Sequence, residues 1–152
     1  MKTKRFMAAA VIAVLFCGAG EQTNAQGSGK CDLTVRVFGF KNNRGNVHVG
    51  LWNRKGNWMN NSKIFQGKVR PISRLRSIVR FKNIPYGSYA IAVFHDENKN
   101  GKHDTNFIGI PREGYAFSNK AKVVFGPPGF EKAKFTINRP KMLLRIRIIN
   151  VR

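Results

Sequence analysis

The sequence predicts an all-β domain, a single sandwich of about seven antiparallel strands. Three observations carry that expectation. From residue 26 onward no stretch has helical periodicity, and short runs of β-branched and aromatic residues recur instead. Most of these runs alternate apolar with polar residues, as a sheet with one face in a core and one in water requires. Gly, Asn and Pro separate them at short intervals, as turns do.

Taken in order, residues 32–40 set Leu33, Val35 and Val37 against Thr34, Arg36 and Phe38. Residues 46–52 place Val47, Val49 and Leu51 on one face, with Arg44-Gly45-Asn46 as the turn before them. Residues 74–82 oppose Leu75, Val79 and Phe81 to Arg74, Arg76 and Arg80. The run SYAIAVFH, residues 88–95, is apolar on both faces, as a central strand would be. Residues 121–125, 132–138 and 142–149 complete the set, the last with Leu144, Ile146 and Ile148 opposite Arg145 and Arg147. Two connections are long. Residues 53–72 contain Trp58, Met59, Ile64 and Phe65, which should fold back on the sandwich with room for a helical turn. Residues 96–120 form the other, and a loop of that length is where function tends to sit.

The N-terminus reads as an export signal over residues 1–25. Lys2, Lys4 and Arg5 precede an apolar run from Ala8 to Ala19, and Thr23-Asn24-Ala25 offers small residues at a cleavage site. That run falls short of the ~20 residues a spanning helix needs, so the mature chain, residues 26–152, is expected in the periplasm or secreted, without a transmembrane segment. It would carry 25 basic against six acidic residues, a net +19, and one cysteine, Cys31. A lone cysteine at a strand start is expected to be a small buried apolar residue. The charge favours anionic partners such as lipopolysaccharide or lipid headgroups. The basic residues are dispersed and no nucleic-acid motif accompanies them, which argues against dedicated nucleic-acid binding.

Four of the seven acids, Asp96, Glu97, Asp104 and Glu113, fall within eighteen positions. The segment HDENKNGKHD, residues 95–104, spaces them as an oxygen-lined cation loop does. Asp96, Asn98 and Asn100 stand at alternate positions, Gly101 permits the sharp turn, the carbonyl of Lys102 follows, and Asp104 comes next. Phe107 stands where a closing bidentate Glu would be needed; Glu113 from further along or Glu97 bending in could complete the shell, and the spacing requires neither. Two carboxylates and two amides on a cationic protein predict a weak, structural Ca²⁺ site in the ~0.1–1 mM range. The competing reading is a metal-free turn, because Asn100-Gly101 is a strong turn dipeptide and Asp96 and Asn98 can cap backbone amides unaided.

No catalytic constellation is present: there is no GxSxG, no Cys–His pair and no phosphate-cradling glycine loop. His95 and His103 flank the loop, but zinc wants three or four N or S ligands and His48 is the one histidine left over. The chain therefore reads as a non-enzymatic binding or scaffold module at the cell envelope. The alternative is an electrostatic binder of anionic envelope surfaces with the loop a metal-free turn. A metal-dependent hydrolase using Asp96, His95 or His103 ranks last.

The segment YAIAVFHDENKNGKHDTNFIGIPREGYAFSN, Tyr89 to Asn119, with IPYGSYA before it and GPPGFEKAKF after it, resembles the domain-of-unknown-function 2141 family of exported bacterial proteins. The resemblance covers residues 32–150 and implies a small Ig-like or transthyretin-like sandwich, with no activity attached. It draws attention to Arg112, Glu113, Tyr115 and Phe117 in the second half of the loop. The aromatic pair is expected to anchor the loop or, with Glu113 on a cation, to form a platform for a carbohydrate or peptide.

Overall fold

A computed structural model describes residues 29–124 and 126–151; the expected export segment lies outside the described residues. Eight strands form two sheets. They are β1 (Lys30–Phe38), β2 (Asn46–Trp52), β3 (Gln66–Pro71), β4 (Arg76–Pro85), β5 (Gly87–Asp96), β6 (Tyr115–Phe117), β7 (Phe135–Ile137) and β8 (Lys141–Arg147). A one-turn helix, α1 (Phe130–Ala133), precedes β7. The small sheet has the order β4-β1-β8 and the large one β3-β2-β5-β6, with β7 also paired to β5. The all-β sandwich expected from the alternation is the observed fold.

The alternating residues fill the space between the sheets. Leu33, Val35 and Val37 of β1 meet Val47, Val49 and Leu51 of β2, and Val79, Phe81, Ile91, Val93 and Ile146 close the core around them. Each such fully buried aliphatic side chain contributes about 1.5–3 kcal/mol of transfer free energy. Cys31 lies in this core too, and burial, with Asp32 beside it, raises its thiol pKa, so it behaves as a small apolar residue.

Several expectations need correction. One strand pair, β1 with β8, is parallel. The connection over residues 53–72 contains β3 as well as two 3₁₀ turns, Lys55–Asn57 and Asn61–Lys63. The sequence QGKVRP hides β3 because it lies at the sheet edge, where alternation in burial is weak. Residues 121–124 are irregular, and residues 130–133 are helical before β7 begins. Leu75 is exposed, because Arg74 and Leu75 both adopt positive φ in a tight turn closed by hydrogen bonds between Ser73 and Arg76. Asn43 Oδ1 accepts the Leu75 N–H at 2.7 Å and holds this turn against the small sheet.

A second apolar cluster sits on the outer face of the large sheet. Trp52, Ala90 and Phe117 pack there beneath Phe130 and Ala133 of α1, with Trp58 edge-on to Trp52 at 5.2 Å between centroids. Both indoles are satisfied, Trp52 Nε1 donating to the Asn60 carbonyl and Trp58 Nε1 to the Pro128 carbonyl. This cap covers one end of the outer face and leaves the other open.

Candidate functional site

The acid-rich loop begins where β5 ends. Asp96 is buried, and its two carboxylate oxygens accept the N–H groups of Asn100 and Gly101 at 3.0 and 2.9 Å. His48 Nε2 donates to the same carboxylate at 3.0 Å. Asp104 accepts the side-chain amides of Asn98 and Asn100 at 2.7 and 2.9 Å. Burial opposes these two bonds only weakly, so they hold the Asp104 carboxyl below its ordinary range, helped by the charge of Arg112. Asn98 Oδ1 in turn accepts the Asn100 N–H, and Asn100 Oδ1 the Lys102 N–H, each an Asx-turn.

Glu113 reaches the loop from beyond it, although the spacing alone did not require this. Its carboxylate is buried and accepts the backbone N–H groups of Glu97 and Asp104 at 2.8 and 3.0 Å, so it clasps both ends of the loop. The structure thus brings Asp96, Asn98, Asn100 and Asp104 together, with the Lys102 backbone and Glu113 beside them. Their oxygens already accept N–H groups. The carboxylates of Asp96 and Asp104 keep spare lone pairs, since each can accept about four hydrogen bonds. Ca²⁺ would compete with the Asn98 and Asn100 amides for Asp104.

Glu97, the other candidate for closing the shell, instead anchors the loop to the β1–β2 connection. Lys41 Nζ lies 2.7 Å from it, Arg44 donates at 3.1 Å and Asn42 at 2.9 Å. Burial alone would raise its pKa, but the hydrogen bonds from Lys41 and Asn42 and the Lys41 charge outweigh burial and lower it to about 2. A folded-state pKa below the ordinary carboxylate value stabilises the fold above about pH 4.5, and that contribution disappears as the pH falls toward 2. Lys41 and Arg44 are 39% and 75% exposed, so solvent screening reduces the effect to roughly 1–3 kcal/mol. In urea titrations, wild type should lose this much more stability than Glu97→Gln between about pH 5 and pH 2. Parallel curves for the two proteins would show that the cluster contributes nothing.

The histidines occupy three different situations. His95 is fully buried, edge-on to Phe40, and its Nε2 donates to the Arg44 carbonyl at 2.8 Å. Its Nδ1 has no partner among the described residues. His103 Nε2 donates to the Glu113 carbonyl at 3.1 Å, and His48 stacks on Phe94 at 4.4 Å. Among the described residues no three His, Cys, Asp or Glu side chains converge as a zinc site would need.

The open part of the large sheet's outer face forms a groove of about 990 Å³, at the top of the ~300–1,000 Å³ range of ligand pockets. Register explains its shape. Gly67, Gly50, Ala92 and Phe117 stand side by side across four strands, and so do Val69, His48, Phe94 and Tyr115. Three nearly side-chain-free positions make a floor, and the aromatic row makes a ridge. Gly50 is required there, because a Cβ would lie 2.5 Å from the Trp52 indole, which folds over it. Gly101, Lys102, His103 and the segment Ile108–Pro111 form one wall, so the acid-rich loop is part of the groove. Tyr115 and Phe117, expected as loop anchors or as a binding platform, lie on β6 and line the groove. Arg112 makes no ion pair among the described residues; its N–H donates to the Asp104 carbonyl at 2.8 Å.

Fold and site define a small two-sheet β-sandwich whose open sheet face is walled by an acid-rich loop. The chain belongs to the family described as uncharacterized protein conserved in bacteria (DUF2141), whose model matches residues 35–143, from within β1 to within β8. No curated protein and no solved structure matches the chain. No helix among the described residues is long and apolar enough to cross a membrane.

Proposed function

We propose that the protein is an exported, non-enzymatic binding module of the periplasm or cell exterior, with the groove as its ligand site. The observation that carries this reading is the part of the sheet face, beside the Trp52 indole over Gly50, that nothing among the described residues covers. A core-forming protein ordinarily covers a row of small residues flanked by Phe94, Tyr115 and Trp52, yet here the rim adds exposed Val69, Ile108, Ile110 and Val124. Clustered exposed apolar residues around a concave surface are the mark of a binding site for an apolar or amphipathic group. A non-enzymatic role fits the histidines, since His95 is buried and His103 is tied to backbone.

An environment-sensitive anilinonaphthalene sulfonate dye tests this reading. Wild type should enhance its fluorescence saturably, and Ala92→Trp, which fills the floor, should abolish most of that enhancement while keeping the unfolding midpoint near wild type. Equal dye binding by the two folded proteins would sink the proposal.

The second reading gives the loop a structural Ca²⁺, favoured by the convergence of Asp96, Asn98, Asn100 and Asp104. Because the loop walls the groove, the ion would stiffen the ligand site. A site of ~0.1–1 mM affinity should raise the melting temperature by several degrees in about 10 mM Ca²⁺ over EDTA, by mass action on the folded state. Mg²⁺, which demands stricter geometry, should do less.

A further inference from the structure

The geometry points to a second interaction surface, on the opposite side of the molecule from the groove: the outer face of the small sheet is a docking face for anionic lipid bilayers. The inference does not depend on the groove holding a ligand. Alternation turns Thr34, Arg36 and Phe38 of β1 outward, and the order β4-β1-β8 sets their neighbours. Arg76 and Arg147 flank Phe38, Ile78 and Arg145 flank Arg36, and Arg80 and Leu143 flank Thr34. Five arginines therefore share one three-stranded surface, with Lys82 and Lys141 continuing it toward Asp32, the acid on this face.

Two features make this more than a solvated charged face. First, none of the five arginines forms an ion pair or a side-chain hydrogen bond with a described residue, although the same protein pairs Lys41 and Arg44 with Glu97. Like charges placed directly opposite across strands oppose sheet formation, and Arg36 beside Arg145 is such a placement. An external anion would relieve that repulsion. Second, the face contains a shallow depression of about 580 Å³ whose lining includes Arg36, Arg80 and Lys141, one acid, Asp32, and the apolar Ile78 and Leu143. Guanidinium forks suit phosphate oxygens, and the exposed Ile78 and Leu143 suit the boundary between headgroups and acyl chains.

A nucleic acid would meet the same charge, but sheets that bind single strands present several aromatic rings for base stacking. Here Phe38 is the one aromatic residue on the face, and it is half-buried. The bilayer is the partner that charge and side-chain chemistry together favour.

Vesicle co-sedimentation of the purified protein tests the proposal, using phosphatidylcholine vesicles with and without phosphatidylglycerol. Wild type should bind the anionic vesicles, spare the neutral ones and release them as salt rises, because exposed charges are screened within a Debye length. The triple variant Arg36→Gln, Arg80→Gln, Arg145→Gln should lose about a hundredfold in affinity, at roughly a factor of five per cation. Its unfolding midpoint should equal or exceed that of wild type, since like-charge repulsion is removed. The control Lys63→Gln, Lys122→Gln, Lys132→Gln removes the same charge elsewhere and should bind nearly as wild type does. Equal losses in both variants would overturn the proposal in favour of diffuse charge, and absence of binding at low salt would overturn it outright. Tighter binding to a single-stranded oligonucleotide, lost in the face variant, would reassign the face to nucleic acid.

Discussion

Gly45→Ala should destabilise the fold by roughly 3–5 kcal/mol, combining backbone strain with overpacking. Gly45 has φ +69°, where a side chain is strained, and a Cβ there would lie 1.8 Å from the Asp96 carbonyl oxygen and 2.7 Å from Glu97 Cα. Those are backbone atoms, so no rotamer change can make room. The close approach has a purpose in the fold. It brings the β1–β2 connection onto the end of β5, where the Arg44 carbonyl accepts His95 Nε2–H and Lys41 and Asn42 reach Glu97. Forcing the two segments apart breaks all three contacts together. Urea unfolding followed by Trp fluorescence gives the number, and a loss below about 1 kcal/mol would mean that the segments can separate without cost.

Asp96→Ala should cost about 2–3 kcal/mol in EDTA and also remove any response to calcium. The stability loss follows from two donors, the Gly101 N–H and His48, left without their acceptor, and from the Asn100 N–H, which keeps Asn98 Oδ1 alone. Water can reach the two amides at the loop tip, which keeps the loss below that of a broken interior ion pair. Asp104→Asn separates the two roles. Its side chain sits further out and anchors no backbone amide, so stability in EDTA should stay within about 0.5 kcal/mol of wild type while the calcium-dependent rise disappears. A calcium response retained in Asp96→Ala would refute the cation reading and leave the loop as a metal-free turn. Unchanged stability of Asp96→Ala in EDTA would refute the structural role instead.

What could be read from the chain divides along a physical line. The core strands β1, β2, β4 and β8 were legible because one face meets the other sheet and one meets water or the cap, which writes burial into the sequence at period two, and β5 because it is covered on both sides and so apolar throughout. β3 and β6 were not, the first because it is an exposed edge and the second because three residues are too few to carry a period. Residues 121–124 misled for the converse reason. Val123 and Val124 have strand composition, but they serve the groove rim, where Val124 is largely exposed. The acid-rich loop was legible because its residues are consecutive. The groove was not, since Gly50, Gly67 and Ala92 become a floor only once the register of three strands is known. His48 was missed likewise: β2 shows it facing away from the core, and the pairing of β2 with β5 brings it to Asp96.

The parallel pairing of β1 with β8 has a consequence for assembly. Asp32 stands beside Lys141 and Phe38 beside Arg147, so the first strand of the domain finds one of its two neighbours at the far end of the chain. Until those last residues are available, β1 is an edge strand, and Leu33, Val35 and Val37 lack the cover that Leu144 and Ile146 provide. Contacts between distant parts of a chain are the ones that slow folding. The domain therefore cannot be completed progressively from its N-terminus; truncation within β8 should leave the small sheet open and prone to pairing with other chains.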